Sequence, residues 1–233
     1  MELKLEIPEN QSEIRLGDYQ EFFKSLKANE DYEDEHFIKM KAIQYFCHIP
    51  LLAVNKMGRN DFEGVCRHLF EVLQQKDEFI DKFEIDGKRF GFIPNLDKMS
   101  IGEYRDINKY MAGVSDHHKL MSVLFRPITV EKKGGYLIEE YEGSERYGEL
   151  MRDSPLSACK GALVFFWTLG KQLLSVTPRY IEQLIGRDKK AAAALEKNGV
   201  GTSTFLNLLD STLLELRRHL DSMSILHTIS LPS

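Results

Sequence analysis

The sequence predicts an α+β fold that is predominantly helical, with two β-hairpins, a degenerate internal duplication and a C-terminal helical region. Apolar residues at helical spacing dominate the pattern, and glycine-containing turns interrupt it at residues 86–87 and 134–135. An Ile-Pro segment followed by a helix start with glycine, an acidic residue and tyrosine occurs twice, beginning at Ile7 and at Ile93. Two copies are too few for a stacked repeat array, so we expect a repeated scaffold within a globular protein.

The composition is that of an ordinary globular protein. Of the 233 residues, 42% are hydrophobic and 29% are charged, which indicates neither wholesale disorder nor a membrane protein. The net charge of −5 disfavours a nucleic-acid surface, because phosphate would be repelled. Three cysteines, an odd number, suit buried thiols in a reducing compartment. The charged N-terminus predicts no signal peptide.

We expect three regions along the chain. Residues 1–78 form an N-terminal strand and a helical unit, and residues 79–154 form a second α+β copy that contains the hairpins. Residues 155–233 form the C-terminal helical region.

The first region opens with a predicted strand at residues 3–7, where apolar and charged side chains alternate. Helices are predicted at residues 17–28 and 35–46, with an acidic, flexible loop at residues 30–35 between them. Residues 60–61 (Asn-Asp) should cap a third helix, because apolar residues then recur at spacings of three and four. These positions are Phe62, Val65, Leu69, Val72 and Leu73.

Two hairpins are predicted in the second region. Phe83 and Ile85 alternate with polar residues before Asp86-Gly87, a pair that accepts the positive φ angles of a type I′ turn. The second hairpin should pivot on residues 134–135 (Gly-Gly) and pair residues 128–130 with residues 136–138.

A buried helix around Trp167 should open the third region, beginning near Pro155 with Ser154 as its N-cap. Its apolar run is about half the length needed to cross a bilayer. Residues 189–198 predict a solvated spacer helix that ends at Gly199.

The last predicted helix, capped by Thr202 or Ser203, carries apolar residues at the three-and-four spacing of a packing surface. We name this set the C-terminal seam: Leu206, Leu209, Leu213, Leu216, Leu220 and Met223. We predict that the C-terminal seam binds another protein. The alternative is that it packs on the Trp167 helix, because fewer than three heptads do not require a coiled coil.

No catalytic motif is recognisable in the sequence. The chain contains neither a phosphate-binding glycine loop, nor His-Glu-x-x-His, nor a Gly-x-Ser-x-Gly nucleophile turn. We therefore predict a protein that is not an enzyme, has no catalytic, cofactor-binding or metal-binding residues, and contacts neither nucleic acid nor membrane.

Two sets of cysteine and histidine residues are candidate sites. Cys47-His48 together with Cys66 and His68 offer the ligand types of zinc, but adjacent or i,i+2 residues on helices point in different directions. Buried thiols and surface histidines are the favoured interpretation. Cys159 lies in an apolar helix without a local activating group, which predicts a core thiol.

Two further polar sets were considered. His117-His118 stands at a predicted helix start, where a pH-sensitive cap is the alternative to an ordinary structural role. Glu139, Glu140 and Glu142 suggest either an acid pair or a solvated sheet edge that discourages pairing, and strand alternation favours the edge.

The first third of the chain has a distinct order of motifs. It runs from residues 14–19 (Ile-Arg-Leu-Gly-Asp-Tyr) through an acidic gap and a helix with a proline bend at residues 41–50 to Val54, Met57 and the helix of residues 60–73. In this order it resembles the tail assembly chaperones of tailed bacteriophages. The middle of the chain is similar to uncharacterised phage proteins. The chain departs from the family in its greater length, its second copy and its C-terminal seam.

The resemblance implies a helical protein that shields the tape measure protein before the tail tube forms. We therefore predict a non-enzymatic phage morphogenesis protein in the host cytoplasm, with the tape measure or other virion proteins as partners and with possible homo-oligomers. The alternative is a structural subunit of the virion, in the tail or the connector.

Overall fold

The computed structural model describes residues 5–28, 34–76, 78–111 and 113–169, and this part is a predominantly helical α+β fold, as predicted. The helices are α1 (Leu16–Lys27), α2 (Glu35–Phe46), α3 (Leu51–Val54), α4 (Arg59–Leu73), α5 (Ile101–Met111) and α6 (His117–Leu124), and residues 156–169 are also helical. The strands are β1 (Lys82–Ile85), β2 (Lys88–Phe92), β3 (Phe125–Lys132) and β4 (Gly135–Ile138). They form one antiparallel sheet in the order β1-β2-β3-β4.

Helices α1 and α2 pack through aromatic side chains. The rings of Phe22 and Phe46 lie 5.0 Å apart between centroids, and Tyr19 stacks beside them. Asp34 caps α2 by accepting a hydrogen bond of 2.9 Å from the backbone N–H of His36. The predictions of helices at residues 17–28 and 35–46 are confirmed, α1 beginning one residue early.

Helix α4 has an apolar face that is buried as its spacing predicts, and it begins at Arg59, with Gly58 rather than Asn60 at the N-cap. Its C-terminal end is buried against two polar side chains. Nζ of Lys160 and Nε2 of Gln11 donate to the carbonyl of Leu73, at 3.1 and 3.3 Å. A cation at this end is favourable, because the last carbonyls of a helix have no partner within it.

The first hairpin has the predicted Asp-Gly turn. Asp86 and Gly87 adopt φ angles of 49° and 75°, and Ile85 lies opposite Lys88. The second hairpin turns one residue earlier than predicted, because Lys132 pairs with Gly135, so that Gly135 is the first residue of β4.

Tyr136 of β4 reaches across the sheet and covers Gly91 of β2. A Cβ atom at Gly91 would overlap the ring of Tyr136. The hydroxyl of Tyr136 donates to the carbonyl of Phe92 at 2.9 Å, and burial raises the pKa of Tyr136 to about 12. The ring thus replaces the side chain that glycine lacks.

Helices α5 and α6 form the second helical pair, again preceded by a 3-10 turn (Leu96–Lys98), as α1 is by Gln11–Glu13. Ser100 and Glu103 cap α5 reciprocally, at 2.6 and 3.2 Å. Glu103 also forms a buried ion pair of 2.7 Å with Arg126. The two pairs continue differently, since α6 passes directly into β3 whereas α2 leads to further helices.

The predicted N-terminal strand is wrong for residues 5–7, which adopt no strand; residues 3–4 lie outside the described residues. Leu5 and Ile7 instead pack against the core as partly buried side chains. Pro8 has no N–H to donate, and its carbonyl accepts a 2.9 Å hydrogen bond from Nε2 of His68 on α4.

Backbone hydrogen bonds join the residues at the start of α1 to the residues around Pro155. Leu16 donates to the carbonyl of Ser154 at 2.9 Å, and Leu156 donates to the carbonyl of Ile14 at 2.8 Å. The helix of residues 156–169 then begins one residue after Pro155. One hydrophobic core receives side chains from the described parts of all three predicted regions, among them Phe22, Phe90 and Leu163.

Candidate functional site

The candidate site is an open groove between α2, α3 and α4. It has a volume of about 410 Å³. Its lining residues come from a short stretch of the chain and are His36, Met40, Val54, Asn55, Met57, Arg59, Phe62 and Glu63. We name this feature the α2–α4 groove.

Three backbone features, at His48, Pro50 and Gly58, position the helices that form the α2–α4 groove. Helix α2 ends at Phe46, and His48 then takes a left-handed φ of 52°, which reverses the chain. Pro50 occupies the N-cap of α3 and its carbonyl accepts the first hydrogen bonds of that helix. Gly58 then starts α4, so that α3 is a single turn between two longer helices.

The groove is apolar at its base and adaptable at its walls. Val54 and Phe62 are buried, while Met40 and Met57 are half-buried and pack against the core from the surface. The ring of His36 lies 5.2 Å from that of Phe62. Methionine is flexible and polarisable, and surfaces that contain it accommodate apolar partners of different shapes.

One side of the groove is charged through a buried lysine. Nζ of Lys39 lies 2.7 Å from Glu35 and 3.1 Å from Glu63. Burial opposes the charge of Lys39, but the two carboxylate hydrogen bonds outweigh it and raise the pKa of Lys39 above its ordinary value. Because the two carboxylates share one lysine, this side of the groove keeps a net negative charge, and Arg59 adds a cation to the lining.

A second apolar feature lies on the β3–β4 hairpin. Val130 and Leu137 are opposite each other in the register, and they are 40% and 63% exposed. They adjoin a shallow depression lined by Val130, Lys132, Gly135, Tyr136 and Leu137. Because Tyr136 covers Gly91 on one face, Leu137 lies on the other face, the one on which Phe90 and Phe92 enter the core.

The C-terminal seam, from Leu206 to Met223, lies outside the described residues, and so do the spacer helix and most of the acidic segment at residues 30–35. The predicted role of the seam in protein binding stays a prediction.

The structure does not bring the cysteine and histidine pairs together as a metal site. Nε2 of His48 lies 3.5 Å from Asp18, and His68 donates to the carbonyl of Pro8. Cys47 and Cys66 are buried, and burial raises the pKa of their thiols to about 11 and about 12. Both thiols are protonated at neutral pH and are poor nucleophiles and poor metal ligands in that form.

His117 and His118 begin α6, as predicted, but both are buried rather than placed as a surface cap. Nδ1 of His118 is 3.1 Å from Nε2 of Gln20, which donates to it, and Nε2 of His118 is 3.7 Å from Glu149. Burial, and then Arg152, lower the pKa of His118. His118 thus connects α6 with α1.

The glutamates after β4 are not a uniformly solvated edge. Glu139 accepts a hydrogen bond from the hydroxyl of Tyr147 at 2.7 Å and pairs with Arg146 at 3.3 Å. Glu142 pairs with the same arginine at 2.6 Å, whereas Glu140 is exposed. The ion pairs form because a 3-10 turn (Ser144–Arg146) returns the chain toward the hairpin.

Cys159 is reduced and fully buried, in agreement with a core thiol. In the part of the chain that the structure describes, no group of three or more His, Cys, Asp or Glu residues is placed to hold a metal ion. In that same part, every helix is too short or too polar to cross a bilayer.

The sequence pattern missed both apolar features. Val54 and Met57 follow a proline bend, where no periodicity marks them as groove residues. The exposed residue of the hairpin could have been found from the sequence. Tyr136, Leu137 and Ile138 are consecutive apolar residues, and because successive side chains of a strand point to opposite faces, they cannot all lie on the same face.

Comparison of the chain with protein-family models, with curated proteins and with solved structures found no match.

Proposed function

We propose that this chain is a non-enzymatic assembly factor that binds an apolar helix of another protein, and that it acts as a tail assembly chaperone for a phage tape measure protein. The observation that carries the proposal is the α2–α4 groove. Four of its eight lining residues are apolar and four are polar or charged. This mixed lining and the open shape suit an amphipathic helix that inserts apolar side chains between the methionines and places polar ones beside the charged wall.

The position of the groove in the chain also supports the proposal. The family resemblance rests on residues 14–19, 41–50 and 60–73 together with Val54 and Met57. The groove is built from the same stretch, residues 36–63. The client in this proposal is extended and helical, so its chaperone needs a surface that accepts many similar helical turns.

The buried thiols favour binding over catalysis. Cys47 follows α2 and Cys66 lies within α4, two of the helices that form the groove, and the raised pKa values of their thiols keep them uncharged. The C-terminal seam supplies a second predicted surface for the client, and the acidic net charge of −5 keeps a complex with an apolar client dissolved.

A methionine substitution tests the groove. The Met57→Glu variant places a charge at the groove wall, and we expect at least a tenfold loss of affinity for the tape measure protein of the same phage, because a buried unpaired charge costs more than about 1.4 kcal/mol. The readout is co-purification of the full-length chain with the co-expressed tape measure protein, followed by titration of the complex.

Met99→Glu is the matched control, since Met99 is also half-buried against the core but lies outside the groove. We expect Met99→Glu to bind as the unaltered chain does. Equal loss in both variants would reflect general damage to the fold, and unchanged binding by Met57→Glu would refute the groove as the client site.

The second candidate is a structural subunit of the virion, favoured by the exposed hairpin pair Val130 and Leu137, which would suit contact with neighbouring subunits. Mass spectrometry of purified particles separates the two functions. A chaperone is absent from the mature particle, whereas a tail or connector subunit is present at a fixed copy number.

A further inference from the structure

We propose that β4 is the edge through which two copies of this chain pair, in antiparallel orientation, to form a continuous eight-stranded sheet across a two-fold axis. The proposal concerns self-association and does not depend on the identity of any client.

The first argument is the open edge of β4. The strand order β1-β2-β3-β4 places β4 at the end of the sheet, and no described strand pairs with its outer side. The N–H of Glu139 donates to the carbonyl of Pro127 on β3. Because backbone groups alternate along a strand, those of Tyr136 and Ile138 point away from β3 and toward a prospective partner strand.

The second argument is an exposed apolar surface beside that edge. Leu137 is 63% exposed and Val130, its neighbour on β3, is 40% exposed. They continue the face of the sheet that packs on the core. An uncovered apolar pair next to an unpaired edge is a surface that proteins normally cover.

The third argument is the order of charges around β4. This order favours β4 of a second copy of the chain as the strand that pairs with the edge. Lys132 and Lys133 precede the strand, and Glu139 and Glu140 follow it. A two-fold axis at Tyr136 pairs Ile138 of one copy with Gly134 of the other. This register brings the two lysines at one turn beside the two glutamates that leave β4 of the second copy, at both ends of the ladder.

The same register is compatible with the apolar side chains. Leu137 lies opposite Gly135 of the second copy, where the missing side chain leaves room for it, and diagonally beside Leu137 of that copy. Glu140 is the exposed glutamate of the set and is thus available for the contact. A strand that is acidic throughout would be repelled by Glu140, whereas the antiparallel second copy meets it with lysine.

The first test is the mass of the full-length chain by sedimentation across micromolar concentrations. We expect a reversible monomer–dimer equilibrium, because pairing of one short edge makes a small interface. Leu137→Lys should shift the chain to monomer. Leu52→Lys should leave the equilibrium unchanged, since Leu52 is 68% exposed on α3, a helix of the first region that is not part of the sheet.

The second test is a charge exchange that only antiparallel self-pairing predicts. In this register Lys132 lies opposite Glu140 of the second copy, so Lys132→Glu and Glu140→Lys should each weaken self-association about five- to tenfold, because each places like charges opposite one another. A mixture of the two variants should restore association as a heterodimer, because every contact across the axis is then between opposite charges.

A chain that stays monomeric throughout would overturn the proposal. A dimer that resists Leu137→Lys would also overturn it and would indicate another surface, such as the C-terminal seam. Failure of the mixed variants to associate better than either variant alone would reject the proposed register.

Discussion

At the scale of single residues, the structure shows which glycines are needed because another backbone segment passes close to them, and a sequence pattern does not reveal this. Gly161 lies where the helix of residues 156–169 passes the backbone of residues 78–79, and a Cβ atom there would overlap the carbonyl oxygen of Glu78. Gly64 lies on the exposed side of α4, where a Cβ atom would meet nothing within 4 Å. The two glycines therefore have opposite structural roles.

We predict that Gly161→Ala lowers the free energy of unfolding by about 1–3 kcal/mol, because the neighbouring atom is backbone and cannot rotate away. Gly64→Ala should raise it by about 0.5–1 kcal/mol, since alanine is the better helix former. Urea denaturation of both variants measures the difference. Equal effects of the two substitutions would contradict the close approach at Gly161.

His118 makes stability depend on pH in a defined direction. Burial and the nearby Arg152 lower its pKa in the folded protein, and Lys119 acts in the same sense, while Glu149 and Asp116 oppose them. The unfolded chain therefore binds a proton at His118 more readily than the folded one does. Neutral His118 therefore contributes its full stabilisation of the fold above its unfolded pKa of about 6.5. This contribution is lost as the pH falls from there through the lower pKa of the folded protein.

We predict that the melting temperature falls more steeply below about pH 6.5 in the unaltered chain than in His118→Gln. One proton contributes at most about 1.4 kcal/mol per pH unit. Other titrating groups are common to both proteins, so the difference between their curves isolates His118. If the melting temperatures of the two proteins fall in parallel over about 3 pH units below pH 8, His118 does not make stability depend on pH.

At the scale of elements, turn chemistry and helical spacing carried the correct predictions. The Asp86-Gly87 turn lies where predicted, and the three-and-four spacing marks the buried face of α4, whereas the cap predicted at residues 60–61 is wrong because Gly58 is the N-cap. The strand predicted at residues 3–7 is wrong at its described residues, 5–7, because alternation alone does not provide a partner strand. The transition from α6 to β3 at Phe125 was missed because no turn residue separates the two elements.

The sites were less predictable than the elements. Placing Met57 beside Phe62 in a groove requires the reversal at His48 and the single turn of α3, neither of which periodicity reveals. The ion pair between Glu103 and Arg126 joins residues from different elements in the same way. Such contacts depend on how elements pack, and one sequence does not encode that packing in a readable local pattern.

At the scale of the whole molecule, the described residues pack side chains from the first helix to Leu163 into one hydrophobic core. We predict that a chain ending at about residue 187 keeps its fold, because it retains every side chain of that core. It should lose affinity for its client or for itself. Circular dichroism tests the fold of the truncated chain, and unfolding on truncation would contradict a separable seam.

The bridge between residues 14–16 and 154–156 has a consequence for synthesis on the ribosome. The start of α1 finds its backbone partners only after Ser154 and Leu156 have been translated, so the first helical pair stays incomplete while most of the chain is being made. Until then the residues that precede and begin α1 lack these two backbone hydrogen bonds. Nascent chains stalled before residue 154 should thus be far more sensitive to protease than those stalled well beyond it.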